Sequence, residues 1–317
     1  MPNALPEAVV QRFRNDLERL IPSSAARLGV AVSGGSDSLA LMLLCHAAYP
    51  GRTYVATVDH QLRIESKSEA EFVGVVCAML CLPHTVLVPP EPITGSLQSA
   101  ARSVRYALLQ SWADQNRVEA ILTAHHADDQ AETLLMRLNR GAGIGGLAGV
   151  RAVNGRVVRP LLQWRRSELD EIVRISGVSP VHDPSNDDEK YARVRIRKAI
   201  ASSSWLDPIA MAQSASAQAD GDAALGWMED RLFAERVRQD SERLYLNDPQ
   251  SLPFELQRRL LIRCVQTLDP DWKVNGPDLQ RLAETLRNLG KSSIGNLVGR
   301  ATPDFWEFTL APPRRKN

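Results

Sequence analysis

The sequence predicts a parallel α/β sheet followed by a smaller, mostly helical domain. Three observations carry that expectation. Between residues 28 and 139, short apolar runs alternate four times with longer helix-forming segments. The runs are continuously apolar, as in strands covered on both faces. The polar clusters of this region fall at the ends of those runs, the edge where open parallel sheets bind ligands.

The elements follow in order. Residues 7–20 form an amphipathic pattern, with Val10, Phe13, Leu17 and Leu20 on one helical face. Leu28 to Val32 is a wholly apolar strand that ends in Ser33-Gly34-Gly35-Ser36-Asp37-Ser38, and LALMLLCHAA continues as a buried helix. Thr53 to Val58 is the second strand, ending at Asp59-His60, and a helix follows from about Ser66 to Leu80. His84–Val88 and Leu97–Asn116 make a third strand and helix, Ala120–Thr123 and Ala127–Asn139 a fourth pair. After residue 208 the texture becomes Ala/Gln/Arg-rich. Pro208–Asp240, Phe254–Leu268 and Asp278–Leu289 read as helices, and Val298–Leu310 as a hairpin around Thr302-Pro303-Asp304. The expected domains are therefore 1–208 and 209–317.

Composition narrows the function classes. The 317 residues include 38 Lys+Arg and 37 Asp+Glu, with 44% hydrophobic residues, which excludes a disordered chain and a uniformly basic nucleic-acid binder. The balance is local, however: residues 151–200 hold eleven Lys/Arg against seven Asp/Glu, and residues 201–247 hold four against eight. The four cysteines form no framework, which suits a reducing compartment, and Cys77 and Cys81 are expected to be two small buried residues. No apolar run approaches the roughly 18 residues of a membrane helix. The opening segment carries Glu7, Asp16 and Glu18, unlike a signal or transit peptide, so a cytoplasmic protein is expected.

Four clusters carry candidate chemistry. In Ser33–Ser38 the glycines allow close backbone approach to an anion, and the following helix presents free N–H groups to phosphate. Asp37 repels phosphate but suits a cation that binds phosphate, so it is the candidate Mg²⁺ ligand. The loop lacks the lysine of a Walker P-loop. In Thr123–Thr133, a helix starting near His126 would put His125, Asp128 and Glu132 on one face, with Asp129 and Glu132 adjacent. Such acids either cap the helix or hold an amine nucleophile. Arg102, Arg105 and Tyr106 share a helix face that either is solvated or clamps phosphate. Lys190–Lys198 holds five basic residues and Tyr191, an electrostatic footprint for RNA. Its arginines, Arg193, Arg195 and Arg197, alternate with Val194 and Ile196 in a pattern that fits neither a helix stripe nor a plain loop.

The S-G-G-x-D-S pattern after the first strand resembles the pyrophosphate-binding loop of N-type ATP pyrophosphatases, on a Rossmann-like sheet of the PP-loop type. Read together, the clusters resemble the tRNA(Ile)-lysidine synthetase family. The matching segments are Ser33–Ser38, Val58–Arg63, Ala101–Tyr106, His125–Thr133, Arg140–Leu147, Arg159–Leu162 (R-P-L-L), Asp183–Asn186 and Arg193–Arg197. The family usually has asparagine where this chain has Val194.

The resemblance implies an ATP- and Mg²⁺-dependent ligase. The enzyme adenylates the C2 oxygen of the wobble cytidine in tRNA(Ile) with a CAU anticodon, and the amine of free L-lysine displaces AMP. The implied roles are Ser33, Gly34, Gly35, Ser36, Asp37 and Ser38 on pyrophosphate, with Asp59 also at the nucleotide. Asp129 and Glu132, with His125, would hold lysine. Arg102 and Arg105 would stabilise phosphate charge in the transition state, and Arg195 and Arg197 would meet the tRNA or the ATP. The helical domain would serve tRNA docking or a homodimer contact. A tRNA thiolation enzyme and a non-catalytic adenine-nucleotide module are the alternatives; the first needs cysteines at the strand edge, the second needs neither His125–Glu132 nor Arg193–Lys198.

Overall fold

A computed structural model describes residues 2–21, 27–61, 65–91, 97–181, 188–273 and 276–311. The chain forms two compact units, Met1–Ala219 and Asp220–Asn317. The division falls inside one long helix, α9 (Pro208–Arg236), so the change of texture at residue 208 marks the start of that helix.

The first unit is built on a six-stranded sheet of order β3-β2-β1-β4-β6-β5. The strands are β1 (Leu28–Ala31), β2 (Thr53–Val58), β3 (His84–Leu87), β4 (Ala120–Leu122), β5 (Val153–Asn154) and β6 (Val157–Val158). All neighbours are parallel except the β5–β6 hairpin at one edge. β1, β2 and β4 are nearly continuous apolar runs because both faces are covered. Val30, Val55 and Leu122 face one core with Phe13, Leu39, Leu44, Trp164 and Leu169. Their neighbours in sequence, Ala56 and Ile121, turn to the other face and pack with Leu109, Trp112 and Val157. Gly29 is required on that second face: a Cβ there would lie 2.7 Å from the Trp112 ring and from Val118. β3 departs from the expectation, since Thr85 and Val86 are exposed at the sheet's edge.

The helices that position the site are α2 (Ser36–Ala48), α4 (Leu97–Asn116), α5 (Ala127–Leu138), α7 (Arg166–Ser176) and α8 (Ala192–Ser202). α2 is buried nearly all round from Ser38 to Cys45, which explains its apolar sequence. From β1 the chain winds outward through β2 to β3, then returns to lay β4 on β1's other side. The switch point, where a crevice opens in such sheets, therefore lies between the carboxyl ends of β1 and β4.

The second unit differs from the expectation. Besides α9, α10 (Phe254–Leu268) and α11 (Gly276–Arg287), it holds a five-stranded antiparallel sheet of order β7-β8-β11-β10-β9. β10 (Leu297–Ala301) and β11 (Phe305–Leu310) are the expected hairpin. β7 (Val237–Asp240), β8 (Arg243–Asn247) and β9 (Lys291–Ile294) were not legible. β7 begins directly after α9, with no glycine or proline between them, so helical and extended residues run together in sequence. Leu244, Leu246, Trp306 and Phe308 of the sheet bury against Leu260, Leu261 and Leu282 of the helices.

All four cysteines are free. Cys81 corrects the expectation of a buried pair: Cys77 is buried on α3 (Glu65–Met79), but Cys81 is exposed in the turn that follows, at φ 54°. Burial pushes the thiols of Cys77 and Cys264 up to about 12 and raises Cys45 as well, which opposes thiolate chemistry at these three. Among the described residues, no helix is long and apolar enough to cross a membrane.

Candidate active site

A cleft of about 240 Å³ opens at the switch point. Ala31, Val32, Ala56, Val58 and Leu109 form its apolar part, and Ser33, Gly35, Asp37 and Ser38 enter from the loop after β1. Thr123, His125 and Asp129 enter from β4 and α5, Arg105 and Tyr106 from α4, and Arg193 from α8. A second cleft of about 580 Å³ shares Gly35 and Asp37 with the first.

The loop is shaped by its own hydrogen bonds. Ser38 Oγ accepts from the Ser33 amide at 3.1 Å and donates to the Gly35 carbonyl at 2.9 Å. Gly34 sits at φ 90°, where only glycine is unstrained, and its carbonyl accepts from the Val181 amide. No side chain caps α2, so its first amides are left for an anion. Ser36 Oγ instead donates to Asp170 of α7 at 2.5 Å.

Asp37 stands in the first turn of α2. Its Oδ2 is 3.5 Å from His126 Nε2, while Oδ1 is buried with no hydrogen-bond partner. Such an oxygen suits a cation. No three His, Cys, Asp or Glu side chains gather as a metal site among the described residues. Asp37 therefore fits an ion such as Mg²⁺ that keeps most of its ligands from phosphate and water.

His126, not His125, is the hub of the cluster. It is the N-cap of α5, is 3% exposed, and has Asp37, Asp128 and Asp129 within 3.6 Å. Burial alone disfavours its charged form, but bonds to Asp128 and Asp37 outweigh burial and raise its pKa to about 10. Nδ1 lies 3.6 Å from Asp128 and also receives the Asp129 amide at a long 3.4 Å, the contact that caps α5. Asp128 is likewise penalised by burial, yet His126, the Arg166 amide (2.8 Å) and Arg165 bring it down to about 2. Asp128 thereby ties the start of α5 to the start of α7. Burial also pushes the neighbouring His125 in the opposite direction, to about 4. Asp129 works against that fall and Arg159, Arg102 and Arg193 add to it. His125 Nδ1 pairs with Thr123 Oγ1 at 3.1 Å.

The basic segment is the helix α8, which corrects the sequence reading of an irregular alternation. Arg193 and Arg197, four residues apart, share the face turned to α5, and Arg195 does not. Glu132 is only 1% exposed: Oε2 accepts from Arg193 Nε at 2.6 Å and Oε1 from Arg197 Nε at 2.7 Å. Arg193 also reaches Asp129 Oδ1 at 3.0 Å. Arg195 donates to the backbone carbonyls of Glu189 and Lys190. Val194 is buried, so an apolar side chain packs where the family usually has asparagine.

Asp59 Oδ1 accepts from the Gln61 amide at 2.9 Å and Ser66 Oγ at 2.6 Å, in the turn after β2, and Asp59 does not line the cleft. Arg102 lies over the Tyr106 ring, and Arg105 Nε contacts His60 Nε2 at 3.3 Å. Leu62-Arg63 and Asp183–Asn186, parts of two expected motifs, lie outside the described residues. Sequence reasoning gave no role to His126 or Arg159, and placed Arg193 only within a basic footprint for RNA. The adjacent histidines hid which one is buried, and a buried arginine at a strand end shows only in three dimensions.

A strand, a glycine–serine loop carrying an aspartate, and a helix at the switch point of a parallel sheet define a PP-loop protein, and the model of the PP-loop domain matches residues 7–204. The chain is 45% identical over 313 residues to a tRNA(Ile)-lysidine synthase of Novosphingobium aromaticivorans, covering 96% of this chain and 95% of the relative. A tRNA(Ile)-lysidine synthase of Zymomonas mobilis is 39% identical, with 98% and 96% covered. The chain belongs to the tRNA(Ile)-lysidine synthase family. Among solved structures, the U34-tRNA thiolase NcsA from Methanococcus maripaludis aligns with a TM-score of 0.55 at 14% identity, covering 66% of this chain and 76% of that one. That likeness concerns the fold alone.

Proposed function

We propose that this chain joins L-lysine to C2 of the wobble cytidine in tRNA(Ile) with a CAU anticodon, using ATP and working in the cytoplasm. The cytidine C2 oxygen attacks the α-phosphorus of ATP, and the bond to pyrophosphate breaks. The lysine amine, having lost a proton, then attacks C2, and AMP leaves with the C2 oxygen. The tRNA changes from reading AUG to reading AUA.

The carrying observation is one cleft that brings together the loop, an apolar floor and the carboxylate–arginine cluster of α5 and α8. Amides of the Ser33–Ser38 loop and of the first turn of α2 receive the pyrophosphate portion, with the hydroxyls of Ser36 and Ser38 holding the loop in shape, and the apolar floor takes the adenosine. Asp37 would hold Mg²⁺, which when bound neutralises phosphate charge. Asp129 reaches the cleft and, beside His125, holds the lysine ammonium and orients its free amine. Glu132 serves from behind, anchoring Arg193 next to Asp129 and fixing Arg197. Arg105 lines the cleft from α4, and Arg102, one turn earlier on the same helix, adds positive charge beside it. Arg195, on the opposite face of α8, is available to RNA.

Incubation with ATP, labelled lysine and tRNA(Ile)-CAU tests the reading. Label in the RNA with release of AMP is expected. Pyrophosphate exchange without transfer of label would remove lysine as the substrate, and ATP binding without turnover would favour a binding module.

A further inference from the structure

Arg105 and Tyr106 line the cleft from α4, and Arg102 and Arg159 both meet the Tyr106 hydroxyl, so positive charge that lacks a negative partner gathers at that wall. Arg159 follows β6 and is 4% exposed. It donates to the Arg151 carbonyl at 2.7 Å and to the Tyr106 hydroxyl at 3.4 Å, and its buried Nε has no partner. Arg102 reaches the same hydroxyl at 3.5 Å and lies 5.1 Å over the Tyr106 ring. Arg105 Nε donates to His60 Nε2 at 3.3 Å, so that ring nitrogen serves as an acceptor, and burial and Arg105 hold the ring below its ordinary pKa. Among the described residues, all three guanidiniums therefore have neutral partners only. Arg193, Arg197 and Arg165, a short way along the same site, are each paired with a carboxylate. Arg159 is a buried cation without counter-charge, which is costly, and the exposed Arg102 and Arg105 add positive charge beside it, so this wall attracts an anion. The Tyr106 hydroxyl accepts from two guanidiniums, which leaves its proton to donate.

We propose that Arg102, Arg105 and Tyr106, backed by Arg159, bind a phosphodiester of the RNA strand whose base enters the cleft. The inference rests on the functional reading above and goes beyond it by separating two phosphate stations. The ATP phosphates have theirs at the loop after β1. Arg159 leaves the sheet from β6, two strands away across β4, about 10 Å at ordinary strand spacing. A base held over the loop needs its backbone anchored to one side, and planar guanidinium forks suit a phosphodiester there. Arg159 is a positioning residue, since it acts through Tyr106 and its own charge.

Binding of tRNA(Ile)-CAU as a function of salt, and of a non-hydrolysable ATP analogue without RNA, tests the site in the full chain. R102Q/R105Q is expected to weaken RNA binding and to flatten the slope of log K against log salt by about 0.7, the change for one single-strand phosphate contact. Y106F and R159Q are expected to weaken RNA binding in the same direction, and affinity for the analogue should change less than about twofold in all three. Arg102 and Arg105 are exposed, so the double variant decides the matter even if R159Q fails to fold. Weakened analogue binding with an unchanged salt slope would give the site to ATP and overturn the proposal. Unchanged binding of both ligands would overturn it as well. A wild-type chain that binds no tRNA would instead strike first at the functional reading.

Discussion

Glu132→Gln perturbs the joint between α5 and α8. The carboxylate is 1% exposed and takes one guanidinium on each oxygen, at 2.6 and 2.7 Å. A glutamine keeps the volume but offers one acceptor, and turns its NH₂ toward the other arginine. Removing one member of a buried ion pair costs about 3–5 kcal/mol. Here the arginine side chains are 43% and 31% exposed, so water repays part of that. The expected loss is about 2–3 kcal/mol, or roughly 5–10 °C in Tm for a unit of this size. Calorimetry measures it directly. Arg193 would also lose its seat beside Asp129, so the KM for lysine should rise more than the KM for ATP. Because Glu132, Arg193 and Arg197 form one network, R193Q/E132Q should cost much less than the sum of its single variants. A Tm within about 1 °C of wild type, with additive double-variant effects, would refute the joint as drawn. A lost Tm with equal rises in both KM values would keep Glu132 as scaffold and remove its link to lysine.

Three other variants probe separate parts of the structure. Asp37→Asn should abolish turnover in a chain that still unfolds cooperatively, with a lower Tm because His126 loses one of its carboxylates; a neutral amide is a poorer cation ligand, and near-normal activity would contradict the role of the unpaired oxygen. Asp128→Asn tests a carboxylate held near 2 in the fold against an ordinary 3.8. A depressed folded pKa contributes stability that is full above about 3.8 and is lost as pH falls toward 2. The Tm gap between wild type and D128N should accordingly be widest between about pH 5 and 6.5, shrink below that range as Asp128 protonates, and shrink again as pH rises toward 10 and His126 loses its charge; a gap independent of pH would contradict the assigned interactions. Gly29→Ala puts a methyl 2.7 Å from Trp112 and Val118 and should cost about 1–3 kcal/mol by urea unfolding; no change in midpoint would mean that β1 and α4 do not meet as described.

The parallel sheet was legible because β1, β2 and β4 are covered on both faces and so are built almost wholly of apolar residues, with Thr53 and Thr57 the buried polar ones in β2. The loop was legible because it is local: strand, glycine–serine turn and helix lie within 21 consecutive residues, Leu28–Ala48. What failed was whatever depends on distant neighbours. In Arg193-Val194-Arg195-Ile196-Arg197 the period of two is visible, yet Glu132 selects residues 193 and 197 and makes the period of four the one that matters. His125 and His126 look equivalent until three carboxylates from two helices surround only the second. β7 and β8 are short strands whose alternation, Leu244 and Leu246 inward, becomes decisive only once β11 pairs with β8.

The most direct test counts products. With purified chain, tRNA(Ile)-CAU, ATP and labelled lysine, the expected outcome is one AMP and one pyrophosphate released for each lysine found on the wobble cytidine, and no transfer when that cytidine is replaced by uridine. AMP release without lysine in the RNA, or lysine incorporated regardless of the wobble base, would contradict a single cleft that joins ATP, cytidine and lysine.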